Sequence, residues 1–437
     1  MRSRSSLQLL AKEFRELFAA RAFWIMLLIV GALVGHGFIT AVGLYAEVSG
    51  NGSGPAALPQ GLTSLDGILV PTWGAYDLAA MLLFPFVAIR LISAEKESGA
   101  LKLLLQLPRS LTSKVAAKGL VLVAGWVLAW LPGLTAIVLW KTYGGHVYKP
   151  EALNLLLGHF LRGLLSAGFG VAAAALAESA ASAAIVTLGV TVGTWALDFV
   201  AAGRGGLLQQ IANYTPTAAL RSFEQALLRT DTVVVMLALS LGGFVMAAIW
   251  LHTGRSLRVR VLATIVLVIT VAGVSFGGAK LRATWDMSEN RRNSFSAADE
   301  TALSKIDQPL KITVFLSPED PRLTDLEQSV IKKLRRVLPQ IEVEYAANSR
   351  TGLFENSEDH YGEIWYEMGG KKVMDRSTIE EVVLEQIYQL AGVSPPDRSN
   401  QDEFPGYPLA AQPKRAATVF YFVWPLMVIL IWWLLRK

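Results

Sequence analysis

The stretch SAEKESGALKLLLQLPRSLTSK occupies residues 93–114, and on each side of it the chain is apolar for long enough to cross a bilayer. A charge-dense connector between two such runs makes this a polytopic membrane chain. Composition agrees: over 437 residues, 53% are hydrophobic and only 17% charged, which is unlike an ordinary soluble enzyme. Within the connector, Leu101, Leu104 and Leu105 form an apolar face beside Glu95, Lys96, Glu97 and Lys102. Pro108 stops the helix before Ser110 or Thr112 can cap the next one. The residues predict a short amphipathic helix on the membrane surface, suited to docking in a groove of another protein. A plain basic loop obeying the positive-inside rule fits them equally well.

Working outward, eight segments meet the length needed for a crossing, near 22–45, 72–92, 116–140, 155–177, 181–201, 233–251, 260–279 and 418–435. Ahead of them, residues 5–20 place Leu7, Leu10, Phe14, Leu17 and Phe18 at helical spacing, opposite Lys12, Glu13, Arg15 and Glu16. That pattern predicts an interfacial amphipathic helix. The apolar run from residue 22 continues past 40 without a small-residue cleavage pattern, so it reads as a retained helix. With the N-terminus inside, the cytoplasmic connections carry sixteen Lys and Arg and the short outer loops five. Both termini are then cytoplasmic, at a bacterial inner membrane, and residues 282–415 lie outside.

Those residues differ in character. They hold 17 basic against 23 acidic side chains, whereas the rest of the chain holds 23 against 12. LKITVFLS (310–317) and IEVEYA (341–346) read as strands, and DLEQSVIKKLRRVL (325–338) as a helix. A hairpin turns at Gly369 and Gly370, and a helix opens at Ser377 and closes at Gly392. Ser296 three residues before Asp299 forms a capping box, and the Pro-rich residues 393–415 read as an extended linker. The expected fold is therefore an α-helical polytopic membrane protein of about eight spans with an inserted α/β extracytoplasmic domain.

Several chemistries have no basis in the residues. There is no cysteine, five histidines (His36, His146, His159, His252, His360) lack ligand spacing, and no nucleophile, base and orienting group recur together. Metal sites, catalytic residues and nucleic-acid partners are accordingly not expected. Ionisable residues inside spans are costly and default to functional candidates. Arg162, one turn after His159, can pair with Asp198 or Asp77 to line a polar pathway; their near-terminal positions favour snorkelling to the interface instead. Lys332, Lys333, Arg335 and Arg336 suit an anionic partner such as lipid headgroups or envelope polymer, but read more simply as a solvated helix face. Tyr421, Trp424, Trp432 and Trp433 read as belt residues.

The connector EKESGALKLLLQLPRSLTSKVAAKGL resembles the cytoplasmic loop of ABC transporter permeases of the type-two exporter family. The resemblance implies that residues 95–107 form a coupling helix, with Glu95, Lys96, Glu97, Gly99, Leu103, Leu104 and Pro108 at the family's positions and Leu101 and Leu105 on its apolar face. WDMSENRRNSFSAADETALSKIDQPLKITVFLS and YGEIWYEMGGKKVMDRSTIEEVVLEQIYQL are similar to the extracytoplasmic domain of gliding-motility auxiliary ABC proteins. The family commonly continues into a second outer lobe, which is missing here. These resemblances imply a six-helix permease (1–255), a seventh span (256–281), an auxiliary domain (282–392), a linker (393–417) and a last span (418–437). They imply a separate ATPase chain, a second permease copy or homologue, and an envelope protein or polymer at the outer domain. No G-x-x-x-x-G-K-[ST] loop occurs, so the chain itself is expected to hold no ATP or other cofactor. The alternative is a non-transporting scaffold anchoring the outer domain to an envelope machine. A proton-driven transporter finds few intramembrane carboxylates for a relay.

Overall fold

The computed structural model describes residues 2–50, 62–106, 110–201, 212, 215–252, 254–281, 283–317, 320–338, 340–346, 360–396 and 404–436. Its dominant feature follows from the apolar runs. Eight helical segments among the described residues are long and apolar enough to cross a membrane. They are α2 (Arg21–Gly50), α3 (Val70–Glu97), the broken pair α5 (Leu111–Leu128) and α6 (Leu131–Thr142), α7 (Lys149–Leu176), α8 (Ala180–Ala201), α10 (Thr230–Trp250), α11 (Leu257–Gly278) and α16 (Lys414–Thr418) continuing into α17 (Trp424–Leu435). Three extend well beyond expectation: the second span begins at Leu65, the third runs from Leu111 to Thr142 and the fourth begins at Lys149. At the C-terminal end of the second span, Glu95 and Lys96 stay helical with partners on neighbouring helices, whereas Glu97 and, at the end of the third, Lys141 are exposed.

The bundle is packed through small residues. Without water between helices, association depends on close van der Waals approach. A Cβ on Gly168 would lie 2.6 Å from the Ser240 carbonyl oxygen, and one on Gly243 2.6 Å from the Gly168 carbonyl carbon, so α7 and α10 cross in backbone contact. Aromatic side chains fill the wider gaps: Trp73, Trp126, Trp140, Tyr76 and Phe84 are fully buried. The last span lies against α2, where Trp424 donates to the Leu27 carbonyl at 3.0 Å and is buried. Trp424 is thus a packing residue, which corrects its reading as an interfacial belt: it finds its hydrogen-bond partner on another helix. By contrast α11 leaves its apolar surface exposed and touches the bundle through α10.

Residues 295–390 build a second apolar core. A four-stranded sheet has the order β4 (Ile341–Tyr345), β3 (Leu310–Val314), β5 (Ile364–Met368), β6 (Lys371–Asp375). β3 pairs with β4 in parallel and with β5 antiparallel, and β5 and β6 form the expected hairpin. A parallel pair needs a crossover. It is made by α13 (Pro321–Leu326), a widened turn at Glu327–Ile331 and α14 (Lys332–Val337). Leu310, Ile312, Val314, Ile364, Tyr366 and Met368 alternate inward from the central strands. They pack under α14, α12 (Ala297–Leu303) and α15 (Glu380–Ala391). The Ser296 cap is present, with Asp299 N–H donating to Ser296 Oγ at 3.0 Å. α15 starts at Glu380, three residues later than Ser377, because Ser377 Oγ accepts from Ile379 N–H and closes a local turn first.

Candidate functional site

Among the described residues, three polar clusters interrupt the apolar bundle. The first surrounds the connector. α3 runs to Glu97, Gly99 turns the chain at φ +74°, and α4 (Ala100–Gln106) follows as a separate helix of seven residues. The expected single helix over 95–107 is therefore two pieces, because only glycine accepts that left-handed backbone cheaply. Glu95 is 3% exposed and belongs to α3. It pairs with Lys12 from α1 (Arg2–Ala19) and with Lys118 of α5 at 3.0 Å. Lys118 also pairs with Glu13 at 2.8 Å and donates to the Leu91 carbonyl at 2.9 Å.

The next residue grips a different helix. Lys96 Nζ donates to the Ala174, Ala175 and Ala177 carbonyl oxygens at 2.6, 3.0 and 2.9 Å, filling the orphan acceptors at the C-terminus of α7. One turn of α3 thus holds α1, α5 and α7.

This placement corrects part of the sequence reading. Glu95, Leu101 and Leu104 are buried, and Lys96 is engaged within the chain, so none offers a docking surface. On the charged face of α1, Glu13 does not face water and is 0% exposed, whereas Arg15 is exposed and Lys12 and Glu16 are half-buried. Burial raises the Glu13 pKa, opposed by the Lys118 ammonium. For Lys12, burial works against the charge, but the hydrogen bond to Glu95 and the fields of Glu13 and Glu95 outweigh it and raise the pKa. Exposed among the described residues of this stretch are Glu97, Ser98, Gly99, Ala100, Gln106 and Leu103, the last at 68%. The Leu105 side chain and Pro108 lie outside the described residues. Carboxylate oxygens of Glu13, Glu16 and Glu95 fall within 4.8 Å of one another. The Lys12 and Lys118 ammonium groups already pair with these carboxylates and supply their counter-charge.

The second cluster lies inside the bundle. α7 begins at Lys149, six residues before the expected start, which puts Arg162 near its middle, roughly 20 Å along the axis. It does not snorkel. Arg162 is 3% exposed, and its Nε stands 3.4 Å from Asp77 Oδ1. His159 is fully buried between Trp73 and Tyr76, with ring centroids 5.0 and 5.6 Å away. Among the described residues, Arg162 Nη2, both His159 ring nitrogens and Trp73 Nε1 have no hydrogen-bond partner. Asp198 is elsewhere, paired with Arg221 at 2.7 Å. The pathway residues therefore divide into Arg162 with Asp77 and Asp198 with Arg221.

The third cluster joins the bundle to the sheet. After α9 (Pro216–Glu224), β1 (Leu227–Arg229) pairs antiparallel with β2 (Thr284–Asp286), which opens the WDMSENRRN run. Asp286 organises that run, accepting from Ser288 N–H and Asn293 N–H, each at 3.0 Å, and from Ser294 Oγ at 2.7 Å. Burial opposes its charge, but the hydrogen bonds from Ser288, Ser294 and Asn293 win and lower its pKa. Glu289 N–H donates to Glu151 at 2.8 Å, while the Glu289 carboxylate meets His146 and accepts from Tyr407 at 2.7 Å. Arg292 pairs with Asp66, and Asn293 donates to the Gln225 carbonyl at 2.7 Å. The described part of the expected free linker is docked too. Tyr407 N–H donates to the Leu62 carbonyl, Tyr45 Oη donates to the Tyr407 carbonyl, and Leu409 N–H donates to Ser49. An extended segment leaves its backbone groups free to make such bonds. Nearby, burial and the Asp77 charge push the Glu224 pKa up to about 7.

Sequence reasoning missed Lys12, Glu13 and Lys118 as one unit and the collar formed by Asp66, Glu151, Glu289 and Arg292. A signal existed for Lys118, which stands inside an apolar run. None existed for the collar, whose members are far apart in the chain. No family model, curated protein or solved structure matches this chain.

Proposed function

We propose that the chain is the membrane-spanning permease subunit of an ABC exporter, driven by ATP hydrolysis on a separate ATPase chain. The observation that carries this reading is the mechanical position of α4. It projects Leu103 and is preceded at Glu97 by an exposed carboxylate, while the α3 turn from which it hangs grips α1 and α5 through Glu95 and α7 through Lys96. A push on α4 is delivered at once to four helices. Discrete helix packings, rather than covalent chemistry, would carry the transport cycle. In this reading Arg162 and Asp77 line the route of the cargo, and residues 282–392 form an extracytoplasmic auxiliary domain inserted between the last two spans. Both termini are cytoplasmic in a bacterial inner membrane, and a second permease copy or homologue completes the assembly.

The absence of native cysteine makes the test clean. Leu103→Cys is the only thiol in that variant, so a bifunctional thiol–amine reagent applied to membranes should join it to a nucleotide-hydrolysing chain. A Leu103→Cys variant that couples to no ATPase sinks the proposal. Cargo-independent function that survives inactivation of the ATPase points instead to a scaffold that holds the sheet unit at the membrane.

A further inference from the structure

The third span is broken in its interior, and the break adjoins polar groups that the reading above leaves unused. α5 ends at Leu128 and α6 starts at Leu131, because Pro132 has no N–H to return to the Leu128 carbonyl. Two indoles beside the break are wedged into glycine notches. A Cβ on Gly163 would lie 2.2 Å from Trp126 Nε1, and one on Gly133 2.8 Å from the Trp73 ring. Trp126 finds a partner there, donating to the His159 carbonyl at 2.9 Å. Trp73 finds none among the described residues, although its ring lies 5.0 Å from that of His159 and 5.7 Å from that of Trp130.

Depth makes this costly. The ends of three spans meet where Trp140 Nε1 donates to Ser64 Oγ at 3.1 Å and to the His146 carbonyl at 3.0 Å. From that level His159 lies ten residues beyond Lys149, Asp77 twelve beyond Leu65 and Trp130 twelve before Thr142. Each is about 15–18 Å down its helix, inside a hydrocarbon core about 30 Å thick.

The unpartnered atoms at this depth are of both kinds. Trp73 Nε1 and the Nε and Nη2 of Arg162 are donors, Asp77 Oδ1 is an acceptor, and the His159 ring supplies one nitrogen of each sort. Arg162 Nε and Asp77 Oδ1 face each other at 3.4 Å without the alignment of a hydrogen bond. Buried polar atoms are otherwise almost always bonded. The Asp77 side chain is 16% exposed while that of Arg162 is 3% exposed, so space wide enough for water reaches the carboxylate from one side. An apolar ligand would leave every one of these atoms stranded. An anion would answer the donors and stand against the Asp77 charge. Water, donor and acceptor at once, completes the set.

We infer that the break in the third span adjoins a hydrated chamber, in which internal water molecules bridge Arg162, Asp77, His159 and the Trp73 indole. Each such water makes about three hydrogen bonds to groups of this kind. Hydration has a mechanical consequence. Water can hold either charge while helices shift, so the Arg162–Asp77 pair can part without stranding a bare ion, as a dry pair in hydrocarbon cannot. The inference is independent of ATPase coupling, since a non-transporting scaffold would contain the same chamber.

The full chain, isotope-labelled on its tryptophan indoles and held in lipid nanodiscs, is moved into heavy water and read by NMR. Single variants Trp73→Phe, Trp126→Phe and Trp424→Phe assign the signals. Trp126 and Trp424, which donate to the His159 and Leu27 carbonyls, are the internal controls. The Trp73 indole proton should exchange about tenfold faster than either control, since no protein hydrogen bond protects it. A second measurement uses the absence of native cysteine. A thiol reacts with methanethiosulfonates as its thiolate, which needs water. Asp77→Cys should therefore be modified at least about tenfold faster than Val30→Cys, which stands at 0% exposure in the apolar core. Trp73 exchange as slow as that of Trp126, equally fast exchange at all three indoles, or Asp77→Cys as inert as Val30→Cys overturns the inference.

Discussion

Lys118→Met is the sharpest perturbation of the α3 grip. The ammonium it removes is 3% exposed and lies 2.8 Å from Glu13 and 3.0 Å from Glu95, carboxylates exposed by 0% and 4%. Methionine preserves the length of the stem, so packing is nearly conserved while one of two cations facing two buried anions is lost. Lys12, 38% exposed, already contacts Glu13 at 3.3 Å, Glu16 at 3.1 Å and Glu95, so without Lys118 one half-buried ammonium is left to face three carboxylates. Stranding a buried charge in this way costs about 3–5 kcal/mol, far above the ~1 kcal/mol of an exposed pair. The assay is the thermal transition of the purified chain in lipid nanodiscs, followed by tryptophan fluorescence, for Lys118→Met, Glu13→Gln and the double variant. The single lysine variant should melt markedly lower. The double variant, which restores charge balance, should recover most of the loss, giving a coupling of about 1–3 kcal/mol. An unshifted Lys118→Met, or a double variant no better than the single one, refutes the claim that charge pairing holds α1 to α3 and α5.

Glu224 gives a pH signature. Its folded pKa of about 7 lies above its ordinary 4.5, so the cost of keeping it ionised, about 3 kcal/mol, is fully present above pH 7 and is relieved as pH falls toward 4.5. Glu224→Gln should therefore melt higher than wild type at pH 8 and come close to it near pH 5; a difference of the same size at both values rejects a raised pKa for this half-buried carboxylate. Lys96→Met frees three carbonyls at the end of α7 and should cost about 1.5–3 kcal/mol, read as a lower melting temperature and faster amide exchange at Ala174 to Ala177. Arg162→Leu leaves Asp77 unpaired in the bundle and should destabilise by about 3–5 kcal/mol, with Arg162→Leu/Asp77→Asn recovering much of it in the same melt. At Gly31 a Cβ would fall 2.0 Å from Trp424, so Gly31→Leu should push α17 off α2 and cost about 1–3 kcal/mol; an unchanged melt argues that the last span is not seated there.

Much of the architecture was legible because its signals are local. A run of 20 apolar residues announces a span wherever it occurs, and all eight were read within a few residues except where polar ends continued the helix. The β5–β6 turn was legible for the same reason: Gly369 and Gly370 at φ +57° and +79° are the backbone that a tight hairpin demands. Gly392 likewise closes α15 in the left-handed region, as its position in the sequence implied. The candidate site was legible only in outline. Glu95, Lys96 and Glu97 are adjacent in the chain and were assigned one role, yet the structure gives them three: an ion pair to α1 and α5, a cap on α7, and an exposed carboxylate.

The sequence alone determined that this is a helical membrane chain with an acidic α/β segment between its last two spans, since the hydrophobic effect acts on composition and period, which each segment carries by itself. Tertiary structure alone decided which charges are paid for inside the protein. Whether Glu13 faces water or Lys118, or Arg162 faces lipid headgroups or Asp77, depends on a partner about a hundred residues away, and in a low-dielectric interior that partner decides whether the charge is tolerated.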